Sequence, residues 1–175
     1  MEAQLDGIRE ILPELTINGQ VIRFPCKVSE IPGIKTEVRL TGYMVAGDNS
    51  CLGFSLNGVH IDGSLYISGD IAGRTDLLDD KVVGIAVKSH DPAVRALEFA
   101  GVTADYTLGE VLTAFGKPVG NSNGVLTYYF DDSTPGVVYL FFDGNEKFER
   151  IIIDVNCSRA KKSEKFVPDL LTRRI

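Results

Sequence analysis

The sequence predicts an α+β fold: mostly antiparallel sheet with a few short helices, closing on a C-terminal helix followed by a three-stranded meander. Three observations carry this expectation. Eighteen glycines punctuate short apolar runs, which is the pattern of a strand-rich chain with many turns. Asn-Gly stands at 18–19 and again at 57–58, each time between alternating segments, and this dipeptide supplies the two positive φ values of a type I′ hairpin turn. Finally, Thr107-Leu-Gly-Glu110 opens an apolar stripe of Leu108, Val111, Leu112 and Phe115 that Gly116 and Pro118 close. A capping box, an amphipathic face and a glycine stop define one short helix.

Asp6 to Leu12 carries Ile8, Ile11 and Leu12 on one side before Pro13, and reads as a short helix. Leu15–Ile17 and Val21–Phe24 flank the first Asn-Gly and form a hairpin, while Pro25 marks a strand end or sheet edge. Lys27–Ile34 reads as a turn or helical piece capped by Ser29 and broken at Pro32-Gly33. Strands are expected at Glu37–Val45, Leu52–Leu56, Val59–Asp62, Ser64–Ser68 and Lys81–Lys88, with a polar loop from Gly69 to Asp80. Asp91-Pro92 offers a cap and a first-turn proline, so a short helix is expected up to Ala100. After the helix that Thr107 opens, Gly120–Gly124 is a polar loop. Val125–Phe130, Val137–Phe142 and Lys147–Val155 then form the meander.

A chain of 175 residues with 44% hydrophobic content buries a core without metal or disulfide support. Its composition divides into a strand-rich half with Asn-Gly hairpins at 1–90, a helix-plus-meander half at 91–157 and a basic tail at 158–175. The tail contains Arg159, Lys161, Lys162, Lys165, Arg173 and Arg174, interleaved with Phe166, Val167, Leu170 and Leu171, and reads as solvated or docked on the body. A net charge of −6 repels a phosphate backbone, so nucleic acid is not an expected partner. No run of about 20 apolar residues is present to span a bilayer. A full-length chain of this kind is expected in the cytoplasm; a chain from which a signal peptide has been removed is expected at the cell surface or secreted.

The chemical inventory is thin. Cys26, Cys51 and Cys157 lack CxxC spacing, and only His60 and His90 could complete a zinc site, so no metal is expected. A serine hydrolase would draw its base from the same two histidines, and no Gly-x-Ser-x-Gly elbow is present. His60 alternates with Val59 and Ile61 and is expected on the polar face of a strand; His90 precedes a helix start. The carboxylate pairs Asp79-Asp80 and Asp131-Asp132 sit among turn formers, as does Asp143-Gly-Asn145, where Lys147 and Arg150 interrupt a calcium-loop pattern. No phosphate-binding glycine loop occurs, so no cofactor and no enzymatic activity are expected.

Three stretches resemble a known repeat: TLGEVLTAFGKP at 107–118, LTYYF at 126–130 and VYLFFDGNEKFERIIIDV at 138–155. They are similar to the helix-plus-sheet repeat of β-lactamase inhibitor protein-like domains and of the small lipoprotein module of outer-membrane assembly machinery. The front, LTINGQVIRFPCKVSEI at 15–31, resembles the opening of uncharacterised proteins of Gram-positive bacteria. The resemblance covers about half the chain and implies a fold and a bacterial or phage origin, without a substrate.

The functional expectation is a non-enzymatic protein-binding domain of inhibitor, immunity or adaptor type, with an unidentified protein partner. The alternative is a small-molecule or envelope-ligand binding module. The aromatic residues Tyr128, Tyr129, Tyr139 and Phe141 are the candidate partner-binding set. Alternate members face opposite sides of a sheet, so one side packs under the helix and the other is expected to be open to a partner.

Overall fold

The computed structural model describes residues 11–37, 44–46, 49–69, 71, 76–130 and 135–156. The expected helix at 6–12, except for its last two residues, the pair Asp131-Asp132, Cys157 and the basic tail lie outside the described residues.

A hairpin opens the chain, β1 (Glu14–Ile17) against β2 (Gln20–Arg23). Asn18 and Gly19 adopt φ of 50° and 83°, as a type I′ turn demands. Next come β3 (Cys26–Lys27), a single 3-10 turn at Val28–Glu30, β4 (Ile34–Glu37) and β5 (Met44–Ala46). The 3-10 turn is held by Glu30 in place of the expected Ser29, because the Lys27 amide donates to the Glu30 carboxylate at 2.7 Å. The second Asn-Gly joins β6 (Asn49–Leu56) to β7 (Val59–Ser68). Two short strands were expected where β7 runs unbroken through Gly63. That glycine is a point of close approach, since a Cβ there would collide with the carbonyl oxygen of Ala86 in the neighbouring β8 (Lys81–Lys88).

The expected helix at 91–100 does not form. Asp91 caps a tight turn, accepting from the Ala93 amide at 2.9 Å, and the chain then extends as β9 (Leu97–Phe99) and β10 (Val102–Thr103). A contact distant in sequence decides this. The Asn18 side chain donates to the Ala93 carbonyl at 2.8 Å and accepts from the Arg95 and Ala96 amides at 2.8 and 3.0 Å. Those amides are thereby withdrawn from helical bonding, and β9 is delivered to the free side of β1, Ile17 opposite Leu97.

The Thr107 capping box is present as expected: the Thr107 amide donates to the Glu110 carboxylate at 2.8 Å, and the Glu110 amide donates to the Thr107 hydroxyl at 3.3 Å. It starts α1 (Leu108–Phe115), which stops at Gly116 with φ of 76°. The loop expected at 120–124 holds one more strand, β11 (Gly120–Ser122), turned back by Asn123-Gly124 into β12 (Val125–Tyr129). β13 (Val137–Phe142) and β14 (Phe148–Asp154) complete the meander.

Every pairing among the described residues is antiparallel. A small sheet has the order β10-β9-β1-β2, and a ten-stranded sheet has the order β11-β12-β13-β14-β8-β7-β6-β4, with β3 added to β8 and β5 to β6. Of the described residues 54% lie in strands and 9% in helical turns. The α+β expectation is therefore corrected: the fold is predominantly β, and α1 is the one α-helix described. The ladders β8–β14 and β1–β9 both cross residue 90, the expected boundary between halves.

One face of the large sheet is apolar from end to end, with Phe54, Ile61, Leu65, Ile85, Ile151, Ile153, Leu140 and Leu126 fully buried. The small sheet alternates cleanly, turning Leu15, Ile17, Ile22, Leu97 and Phe99 inward. A chain of edge-to-face rings fixes the layers together: Phe99 meets Phe115 at 6.0 Å, and Phe115 meets Tyr128 at 5.5 Å. The small sheet and α1 thus cover the Leu126–Tyr128 face.

The Asn18 clamp generates a prediction. Asn18→Gly keeps the positive φ but removes three long-range hydrogen bonds, each worth about 1 kcal/mol, so urea unfolding should show a loss of roughly 1–3 kcal/mol. Asn123→Gly, made at an exposed turn of the same type, should change stability by only a few tenths of a kcal/mol.

Candidate functional site

The aromatic candidates divide between the two faces, as strand alternation requires. Tyr128 belongs to the core. It is 4% exposed, stacks edge-on against Phe115, and its hydroxyl donates to the Gly116 carbonyl at 2.9 Å, which ties β12 to the end of α1. Burial pushes its pKa up. Tyr129, Tyr139 and Phe141 lie on the opposite face. Tyr129 is half-buried, whereas Tyr139 and Phe141 are only 9% and 8% exposed. The open aromatic platform expected on this face is corrected accordingly: Tyr139 stands between Ile152 and Thr127 in the ladder, and Phe141 is capped by Arg150, whose guanidinium carbon sits 4.6 Å from the ring centre.

What the fold assembles on that face is a row of charge. The registers align Phe141 with Arg150, Arg150 with Lys88, and Gly53 with Glu37. Lys88 reaches Asp62 of β7 at 3.6 Å. Alongside, Ser55 pairs with both His60 and Lys35. The result is a strip crossing β13, β14, β8, β7, β6 and β4, with Arg150 and Lys88 at one end and Asp62, His60 and Glu37 toward the other. Apart from Phe141 and His60, its members were not candidates in the sequence. The alternation of His60 and Asp62 along β7 was legible, but their partners Glu37 and Lys88 come from other strands, 23 and 26 residues away.

At the Glu37 end three residue types of a hydrolase triad meet. The Ser55 hydroxyl donates to Glu37 Oε1 at 2.6 Å, and His60 Nδ1 lies 3.0 Å from Glu37 Oε2. Their order is wrong for nucleophilic catalysis, in which histidine stands between serine and acid to take the hydroxyl proton. Here the carboxylate is in the middle. The Ser55 hydrogen bond holds the Glu37 carboxyl below its usual value, with His60 and Lys35 adding charge in the same sense. A carboxylate stabilised in this way is a weaker base still. The contact therefore acts as a strap, fastening β4 across β6 to β7. Because the folded carboxyl titrates lower than the unfolded one, the strap's contribution is present at neutral pH and is lost as pH falls through the folded value.

The other candidates serve the backbone. Asp143 accepts from the Asn145 and Lys147 amides at 2.8 and 3.0 Å, closing the β13–β14 turn and holding its carboxyl below the usual range. His90 is exposed in the turn after β8. Burial pushes the Cys26 and Cys51 thiols up to about 11 and about 12, which suppresses the reactive thiolate. Among the described residues no three His, Cys, Asp or Glu side chains gather as a metal site, and no helix is long and apolar enough to cross a membrane.

A cleft of about 330 Å3 lies beside β4, with Val28, Ile34, Leu77 and Leu78 as apolar lining and Lys35 and Asp76 as charges. Comparison with protein-family models, curated proteins and solved structures gave no match.

The strap is open to direct test. The Glu37 carboxyl, followed by NMR titration, should have a pKa below that of an ordinary glutamate, and Ser55→Ala should move it upward. An unmoved pKa would show that the hydroxyl does not hold the carboxylate.

Proposed function

We propose that this chain is a non-enzymatic protein-binding domain of inhibitor, immunity or adaptor type, and that the charged row is its recognition surface. The observation that carries the reading is the alignment of Glu37, His60, Asp62, Lys88, Arg150 and Phe141 on one face of contiguous strands. Strands joined by hydrogen-bonded ladders on both sides fix the backbone beneath most of these side chains, so ordering them against a partner costs little entropy. Arginine is among the types that most often anchor interfaces, and here Arg150 is already placed over the buried Phe141 ring. Separated positive and negative ends select a partner whose charges run the opposite way, which favours specificity and fast encounter. The small-molecule alternative rests on the cleft beside β4, whose volume falls at the low end of ligand pockets, roughly 300–1,000 Å3.

The test is affinity capture with the native chain and with Lys88→Glu/Arg150→Glu as baits, after both are shown to unfold at comparable denaturant concentration. One protein should be retained at near-stoichiometric amount by the native chain and weakened by roughly tenfold or more in the variant. Equal retention by both, or none by the native chain, contradicts the proposal.

A further inference from the structure

Among the described residues, β4 ends the ten-stranded sheet, and only one of its sides pairs, with β6. Which backbone groups remain on the other side follows from the register. The Asn57 amide donates to the Gly33 carbonyl at 2.9 Å, so in the alternating pattern of an antiparallel ladder positions 33, 35 and 37 direct their N–H and C=O toward β6. Positions 34 and 36 direct theirs away. The Ile34 amide is used in the preceding turn, donating to Ile31 at 3.3 Å. The Ile34 carbonyl and both backbone groups of Thr36 are therefore directed away from β6, and Ile34, Lys35 and Thr36 line the cleft whereas no β6 residue does.

We infer that this cleft accepts an extended segment of the protein partner as an added antiparallel or parallel strand on β4. The inference rests on the protein-binding reading and deepens it. Backbone groups spaced as in a ladder recognise an extended peptide, and the walls choose its side chains. Val28 and Leu77 are buried beneath the cleft while Leu78 is 58% exposed beside it, so alternate positions of the segment are apolar and face these residues. The intervening positions meet Lys35 and Asp76, one charge of each sign, and are polar. Proline is excluded where the segment must donate to the Ile34 or Thr36 carbonyl. The same strap that joins Glu37 to Ser55 and His60 holds β4 in place as the template.

Thr36→Pro provides a selective probe. It removes an outward N–H and leaves the β6 ladder intact, because an edge strand tolerates proline on its open side; Lys35→Pro, by contrast, removes a ladder bond. A library of short displayed peptides is selected on the native full chain, and the recovered peptide is titrated against native and Thr36→Pro proteins while the Thr36 amide is followed by hydrogen exchange. The expected result is an alternating apolar–polar peptide, a loss of affinity of roughly tenfold or more in Thr36→Pro at unchanged unfolding midpoint, and a Thr36 amide that exchanges quickly in the free chain and slowly in the complex. Equal affinity in Thr36→Pro, or recovery of no peptide, overturns strand addition. So does a Thr36 amide protected in the free chain, which places another part of the chain or a second copy on the edge. A partner lost to Lys88→Glu/Arg150→Glu but fully retained by Thr36→Pro overturns strand addition alone and leaves the protein-binding reading standing.

Discussion

The backbone of β8 lies against its neighbours so closely that Gly84 has no room for a side chain. A Cβ at that position would strike the carbonyl oxygen of Ile153 on one side and come within 2.8 Å of the Tyr66 ring. Gly63 meets β8 in the same way from β7. These two approaches let β8 pair with β7 and β14 at once, and that double pairing welds strands from both ends of the sequence into one sheet. Remove it and the apolar face divides: Leu126, Leu140 and Ile151 lie to one side of β8, Leu65, Ile61 and Phe54 to the other. The charged row depends on the same ladder, since Lys88 and Arg150 are a registered pair within it.

The polar chemistry of the molecule is spent on holding strands together. Asn18 clamps a turn far along the chain, Glu37 straps three strands, and the Tyr128 hydroxyl closes the end of α1. Groups that could have been reactive are quieted by their surroundings: burial suppresses the thiolates, and the Glu37 carboxylate is stabilised against acting as a base. Among the described residues, the surface features beyond these include a charged row and a strand edge.

Local signals in the sequence were faithful where local forces decide. Asn18-Gly19 and Asn57-Gly58 turn hairpins, Thr107 and Glu110 start a helix, and Gly116 ends it, because each rests on φ preferences or on hydrogen bonds three or four residues apart. The Asp91-Pro92 cap misled because the contest there was settled by Asn18, which no window around residue 91 contains. Asn123-Gly124 carries the same turn signal as the other two pairs, inside a stretch read as a polar loop. The candidate site was less legible still. Tyr139 and Phe141 stood in the candidate set with no face assigned to either, and their burial depends on what lies beside them in β12 and β14. Arg150 meets Lys88 only once the β8–β14 register is set, and register between distant strands is a product of packing as a whole.

One sheet, joined at β8, makes its strands a single cooperative unit that presents the row and the edge on a rigid frame. Native-state hydrogen exchange measures this most directly. Amides of Leu65, Ile85, Ile151 and Leu140 should open with one common free energy equal to that of global unfolding. Early opening of β12–β14 as a group, with β6–β8 still protected, would contradict it.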